Sequence, residues 1–412
     1  MFAAIDFLGS LMFTAGRSMR RQAKASQGWL SHRKAVGQNA SASDGDANPR
    51  SILIIQLDHL GDAVLSTGMI SVLRRRYPRA SIEVLAGAWN RELFAAIDAV
   101  DRVHVSQLNR FSRGGRFGWP LAAFWWGRRL RRRRFDLGID VRGEFPLALI
   151  LWLCGARRRL GWAAGGGGFL LTDSPSFVPN RPETESRGTL LGELGISVES
   201  PEELWPVFHP PESARQNIRR QLDHRGPSER FVAVHVSAGT PAKQWPVEHW
   251  RTLVGRLVVE HRLEVVLVGG QPDRIISRSI LAGHAWPGVT DWTGRTSVVE
   301  LAALLAEAQV VVGPDSGPVH LAASVGRPVV VLASGTNRHE QWQPRGRCVT
   351  LLRHPEPCSP CHRNRCPRAG HPCMRRVLPD EVVAAVLEAW KNDDCTPARI
   401  KCRCARAASP AG

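Results

Sequence analysis

A strand that passes straight into a helix through Gly-Pro-Asp-Ser-Gly constrains this chain more than any other feature. In GPDSGPVHLAAS, Gly313 to Ser324, the turn is preceded by the β-branched run Val310 to Val312 and followed by a second apolar run, Pro328 to Leu332. Strand, helix and strand in such close succession predict a crossover unit on a parallel sheet. The turn leaves main-chain N–H groups free at the positive end of the helix dipole, a setting that suits a phosphate group. Asp315 carries the wrong charge for phosphate and suits hydroxyl donors instead. Together they point to a phosphorylated, polyhydroxylated ligand such as a nucleotide sugar. The alternative is that Asp315 and Ser316 only cap the helix.

The same alternation runs through most of the chain. Ser51 to Leu57 reads as a strand, Ala63 to Tyr77 as a helix ending in Arg74, Arg75 and Arg76, and Ile82 to Leu85 as the next strand. A basic helix is expected near Leu121 to Arg134, before a strand at Asp136 to Asp140. From Gly161 to Pro211 glycine and proline become frequent, which reads as connecting structure. A second series opens at Phe231 with FVAVHV and continues through Pro246 to His261, Leu263 to Val268 and Asp273 to Leu281. The expected fold class is α/β, two Rossmann-like doubly wound domains facing each other across a cleft. We divide the chain into an extension and linker (1–49), an N-terminal Rossmann-like domain (50–215), a C-terminal Rossmann-like domain with a cysteine cluster (216–390) and a basic, disordered tail (391–412).

In doubly wound sheets ligands sit beyond the carboxyl ends of the strands, and the candidate residues fall there. Asp62, in QLDHLGDAVLSTG, is placed to act as a general base on a hydroxyl, or else to cap the helix that follows; Asp58 and His59 are competitors. The loop VSAGTPAKQWP offers Ser237, Gly239 and Thr240 for close approach, and Lys243 to neutralise a departing diphosphate. In GGQPD, Gly269 permits close backbone approach and Asp273 stands where a ribose-binding acid is expected.

LDHLGDAVLSTGMISVLRRRYP, SAGTPAKQWPVEHW, DWTGRTSVVELAALLAEA and GPDSGPVHLAAS occur in this order between Ile52 and Val386. In these segments the chain resembles glycosyltransferase family 9, the bacterial heptosyltransferases of lipopolysaccharide core synthesis. The resemblance implies the GT-B architecture, an inverting transfer without catalytic metal, and an ADP-heptose-like donor. It implies Asp62 as the base, Lys243 as the phosphate-contacting lysine, Asp315, Ser316 and Gly317 as the donor-binding turn, and His320 on the following helix. Asp273 matches a ribose-binding acid loosely. Gln56 stands where many members carry Arg.

The formal net charge of +18 over 412 residues calls for an anionic partner. Six arginines fill seven positions from Arg128 to Arg134. We read Arg128, Arg131 and Arg132 as candidates for a phosphorylated or lipid-linked glycan acceptor, or for an anionic inner membrane; a plain solvated helix face is the alternative. No recognised RNA module accompanies the charge, so no specific nucleic acid is expected. No apolar run approaches the roughly 20 residues of a membrane span, and the opening MFAAIDFLGSLMF lacks the marks of a secretory signal, which suggests a cytoplasmic, peripheral protein. Cys358, Cys361, Cys366 and Cys373 are spaced for a structural zinc, with free thiols or two disulfides as the alternatives. A GT-B binding protein without transfer, a sugar-nucleotide epimerase and a nucleic-acid-binding protein are the competing functions.

Overall fold

The computed structural model describes residues 48–107, 119–225, 230–391 and 401–404. The expected extension before residue 48 and most of the tail lie outside them. In the N-terminal half, β1 (Ser51–Gln56), α1 (Leu60–Arg76), β2 (Ser81–Gly87), α2 (Arg91–Ala95) and β3 (Arg102–Ser106) step outward in one direction. The chain then returns through α3 (Trp119–Arg131) to β4 (Leu137–Asp140), α4 (Phe145–Leu153) and β5 (Arg158–Leu160). The sheet is parallel in the order β3-β2-β1-β4-β5, with Ile52 of β1 paired to Ile82 on one side and Leu137 on the other.

Right-handed crossovers put helices on opposite faces when the chain reverses direction, and the side chains of β1 divide accordingly. Ile52 and Ile54 pack with α1, whereas Leu53 and Ile55 pack with α3 and α4. All four are fully buried, which contributes about 1.5–3 kcal/mol for each side chain.

Two helices, α5 (Glu183–Gly192) and α6 (Glu212–Arg225), lead to the second half. The α5 helix lies inside the stretch expected to be connecting structure. Its burial of Leu190 and Leu191 against α1 outweighs the surrounding Gly and Pro signals. Next come β6 (Phe231–His235), α7 (Val247–Gly255), β7 (Glu264–Val268), α8 (Arg274–Leu281), β8 (Val289–Asp291) and α9 (Val298–Glu307). These are followed by β9 (Val310–Pro314), α10 (Gly317–Ser324), β10 (Val329–Ala333), α11 (His339–Trp342) and β11 (Val349–Arg353). The described residues end with α12 (Pro372–Arg375), α13 (Pro379–Lys391) and β12 (Lys401–Cys404). This second sheet is also parallel, ordered β12-β11-β10-β9-β6-β7-β8. Lys401–Cys404 thus form an edge strand within the segment expected to be irregular, because β11 leaves one row of backbone groups open for pairing.

Both sheets reverse direction beside their first strand, between β1 and β4 and between β6 and β9. The loops that leave these strands converge on the two crevices where such sheets bind ligands. The described residues from Pro49 onward form one compact unit. Among the described residues no helix is long and apolar enough to cross a membrane.

Gly68, in the middle of α1, lets the turn Pro201–Leu204 lie directly on that helix: a Cβ at this position would stand 2.1 Å from the Leu204 carbonyl oxygen. Alanine is the better helix former by about 1 kcal/mol, yet Gly68→Ala is expected to destabilise by about 1–3 kcal/mol through overpacking. Chemical denaturation checks this, and a stabilised variant would show that the turn moves aside freely.

Candidate active site

The α1 helix begins at Leu60, earlier than the sequence pattern indicates, with His59 at the N-cap and no side-chain cap. Asp62 therefore occupies the first helical turn, and the capping role left open for it does not apply. Its main-chain carbonyl accepts from Gln56 Nε2 at 3.1 Å and Ser66 Oγ at 3.0 Å. Its carboxylate keeps no ion pair or hydrogen bond among the described residues. Gln56, fully buried, also donates to Ser66 Oγ at 2.6 Å and accepts from the Asp58 N–H at 3.2 Å. The glutamine in place of arginine thus braces the loop. Asp58, a competitor for the role of base, is committed to Arg142 in an ion pair, and its carbonyl accepts from Trp89 and Asn90.

Across the cleft, α10 starts at Gly317 with Ser316 as N-cap, but Ser316 Oγ turns back to donate to the Pro314 carbonyl at 3.0 Å. Neither Ser316 nor Asp315 caps the helix, so its first N–H groups point outward without a side-chain partner. Asp315 binds Lys243 instead: Nζ lies 2.6 Å from Oδ2 and 3.3 Å from the Asp315 carbonyl oxygen. His320 Nε2 stands 3.5 Å from Oδ1. Burial alone would raise the Asp315 pKa, but the Lys243 ammonium and His320 overcome it and hold the carboxyl well below the usual range. Lys243 reaches this point from the short turn Pro241–Lys243, which continues the loop after β6. Ser237, Gly239 and Thr240 belong to that loop.

The two halves meet at these helix starts. A Cβ on Gly61 would lie 3.1 Å from the His320 ring, and one on Gly317 would lie 2.9 Å from Leu60 Cβ. The starts of α1 and α10, which carry Asp62 and follow Asp315, therefore lie side by side at the mouths of both sheets. Gly269 and Asp273 follow the carboxyl end of β7, the strand beside β6. Asp273 Oδ2 accepts the Gly270 N–H at 2.7 Å, and a side chain on Gly269 would collide with this carboxylate.

Three groups escaped sequence reasoning. Arg187 on α5 is buried, with one guanidinium nitrogen 3.4 Å from the Asp62 carbonyl oxygen and another 3.5 Å from Glu183. Only recognising TESRGTLLGEL as a helix would have drawn attention to it. His235, at the end of β6, lies under Gly313, and burial lowers its pKa even though Asp273 opposes this. Asp140, at the end of β4, is fully buried and its pKa is pushed up to about 7; burial outweighs the N–H bonds from Arg142 and Gly143. A lone aspartate at a strand end gave no signal for that.

Arg128, Arg131 and Arg132 do not join the cleft. They are exposed on the outer side of α3, whose carboxyl end leads to the amino end of β4, the edge of the sheet remote from Asp62. Cys358, Cys361, Cys366 and Cys373 are free thiols lining one cavity of ≈ 130 Å³. Among the described residues no group of three or more His, Cys, Asp or Glu side chains is arranged to hold a metal ion as it stands.

Lys243→Ala is expected to cost on the order of 2–3 kcal/mol near neutral pH. This is less than for a fully buried pair, because the two side chains stay 20% and 15% exposed. The Asp315 pKa is depressed, so the contribution is present above the unfolded carboxyl value near 3.8 and fades as pH falls below it. Thermal melts of both proteins against pH check this, and a constant gap down to strong acid would contradict it.

For Asp140 the sign is opposite. The folded pKa lies above the unfolded one, so stability is lost as pH rises from about 4 to 7. Asp140→Asn should gain on the wild type over that window, by on the order of 1–3 kcal/mol. Parallel denaturation curves would exclude a protonated Asp140.

A family model described as glycosyltransferase family 9 (heptosyltransferase) matches residues 124–371. Lipooligosaccharide heptosyltransferase 2 of Haemophilus ducreyi is 26% identical over 299 residues, 68% of this chain and 82% of the relative. Lipopolysaccharide heptosyltransferase 2 of Escherichia coli is 28% identical over 292 residues, with 68% and 82% covered. Among solved structures, the ADP-heptose lipopolysaccharide heptosyltransferase II of E. coli superimposes with a TM-score of 0.67 at 22% identity, covering 83% of this chain and 99% of the other. A family 9 glycosyltransferase from Veillonella parvula gives 0.71 at 17% identity, with 84% and 98% covered.

Proposed function

The chain belongs to glycosyltransferase family 9, and from that premise we propose that it moves a heptose from ADP-heptose to a hydroxyl of a lipopolysaccharide-core acceptor by one inverting displacement. The observation that supports this reading is an uncommitted carboxylate, Asp62, on a helix start that packs against the start of α10, whose first turn is uncapped and is preceded by the Lys243–Asp315 pair. Asp62 takes the proton of the acceptor hydroxyl as its oxygen attacks the anomeric carbon. The bond from that carbon to the diphosphate breaks on the opposite face, which inverts the centre. Lys243 has donors to spare beyond its bond to Asp315, and together with the α10 N–H groups it receives the charge of the departing ADP. Positive charge for the leaving group thus comes from protein groups, and the proposed step uses no metal.

Asp315 accepts sugar or ribose hydroxyls through its remaining acceptor sites, and Asp273 contributes its free Oδ1 to the ribose. Arg187 fixes the main chain beneath Asp62. Ser237, Gly239, Thr240 and Gly269 form the close-approach wall for the nucleotide, on the cytoplasmic side where nucleotide sugars are supplied.

Asp62→Asn is expected to lower the transfer rate by about 10²–10⁴-fold while ADP affinity stays unchanged. Assay with ADP-heptose and a heptose-deficient core acceptor, alongside calorimetry with ADP, separates the two quantities. Unchanged transfer would discard Asp62 as the base.

We further propose that the four-thiol cluster takes up one structural zinc, remote from the transfer step. Cys373 is buried, and that burial together with the neighbouring thiols raises its pKa against the Gly335 main-chain N–H at its sulfur, so a cation is what would hold it as thiolate; Cys358, Cys361 and Cys366 lie on a more exposed arm beside it. That arm is tied to the loop of Lys243, since the Ala242 N–H donates to the Asn364 carbonyl and the Ala242 carbonyl accepts from His371. Metal analysis of the purified chain should find one equivalent that Cys373→Ser removes. A metal-free protein with four titratable thiols would dismiss the zinc and leave the transfer reading intact.

A further inference from the structure

The outer face of α3 breaks the rule for a surface helix. Ala123, Trp126, Gly127 and Leu130 point inward and are buried, which leaves Leu121, Phe124, Trp125 and Arg128 on the outside at helical spacing. Leu121 is 77%, Phe124 51% and Trp125 53% exposed, at positions where a helix in water carries polar groups. α4 runs alongside in the same direction, with Trp119 against Phe145 at one end and Gly127 against Leu153 at the other. It adds Trp152, 51% exposed, and the turn beside Phe145 adds Phe169, 75% exposed. Contiguous apolar exposure of this kind marks a surface that leaves water for a partner.

The partner is specified by the charge around the patch. Arg128, Arg129, Arg131 and Arg132 follow the apolar turns, and α3 carries no acidic residue. Arg128 stands over the Phe124 ring at 5.6 Å and Arg129 over the Trp125 ring at 5.1 Å. Aliphatic and aromatic side chains flanked by arginines are the composition of a helix lying in a lipid interface, with rings at headgroup depth and guanidinium groups on phosphates. A second copy of the chain fits less well, because its α3 would bring more arginines and no acidic residue to pair with them. Stacked nucleic-acid bases fit less well, since Arg128 and Arg129 already occupy one face each of the Phe124 and Trp125 rings.

We propose that α3, with Trp152 and Phe169, is the surface by which this protein docks on an anionic lipid bilayer. The orientation is informative. Phe145 follows the carboxyl end of β4, so the amino end of α3 and Phe169 lie at the sheet edge that also carries Asp62, while the arginines extend toward the opposite edge. Docking there holds the mouth of the N-terminal crevice against the membrane. On the transfer reading, this is where a lipid-linked acceptor presents its sugars; the docking itself does not depend on that reading.

Co-sedimentation of the full chain with vesicles of phosphatidylcholine, and with vesicles also containing phosphatidylglycerol, tests the proposal. Tight binding is expected only to the anionic vesicles, weakened by salt. Arg128→Gln/Arg129→Gln/Arg132→Gln should lose about a hundredfold in affinity. Leu121→Ser/Phe124→Ser/Trp125→Ser should lose at least tenfold while binding ADP as the wild type does, which shows that it is folded. Wild-type indifference to anionic vesicles, or unaltered vesicle binding by both variants, would overturn the proposal. So would a change from dimer to monomer in the apolar variant, or preferential capture of single-stranded RNA by the wild type. Loss of transfer without loss of vesicle binding would count against the transfer reading alone.

Discussion

The arrangement of the cleft depends on Lys243 being held against Asp315. A lysine on a short turn has many rotamers, and a carboxylate buried at a strand end is costly unless paired. The 2.6 Å contact satisfies both, fixing the ammonium at the start of α10 and leaving the helix N–H groups uncapped beside it. Asp315 is thereby spent on the lysine and not on the helix, so the positive end of that helix remains available to an anion. The glycines at Gly61 and Gly317 complete the constraint, because only without side chains can α1 and α10 begin so close together.

Much of this was legible in the sequence for a physical reason. Strands buried on both faces of a parallel sheet appear as continuous apolar runs, and turns that lead into helices show their glycines and acids directly. FVAVHV and GPDSGPVHLAAS therefore located β6, β9 and α10 and their loops, and the family resemblance agrees with the chain's membership of glycosyltransferase family 9. What sequence reasoning missed depends on tertiary contact. Whether Asp62 or Asp58 is uncommitted turns on Arg142, distant in sequence, and whether Asp315 caps its helix turns on where Lys243 reaches. Arg187 was hidden in a segment whose glycines and prolines suggested loop, and its helix forms because Leu190 and Leu191 find a place against α1.

The arginine run shows how the same residues change meaning with geometry. As a string, Arg128 to Arg134 suits any anion, a phosphorylated acceptor or an anionic membrane alike. The direction of α3 takes the run away from Asp62 and sets it beside exposed Leu121, Phe124 and Trp125. Charge and exposed apolar surface then call for the same partner, and the large positive balance of the chain gains a local role.

The central claim is that the uncapped α10 start and the Lys243–Asp315 pair receive an adenosine diphosphate. Calorimetric titration of the purified chain with ADP, UDP and GDP at near-physiological salt, where weak surface binding of anions is suppressed, tests it most directly. The account expects saturable binding of ADP, loss of most of that affinity in Lys243→Ala, and little binding of UDP or GDP. Failure to bind any nucleoside diphosphate, or equal binding by wild type and Lys243→Ala, would contradict it.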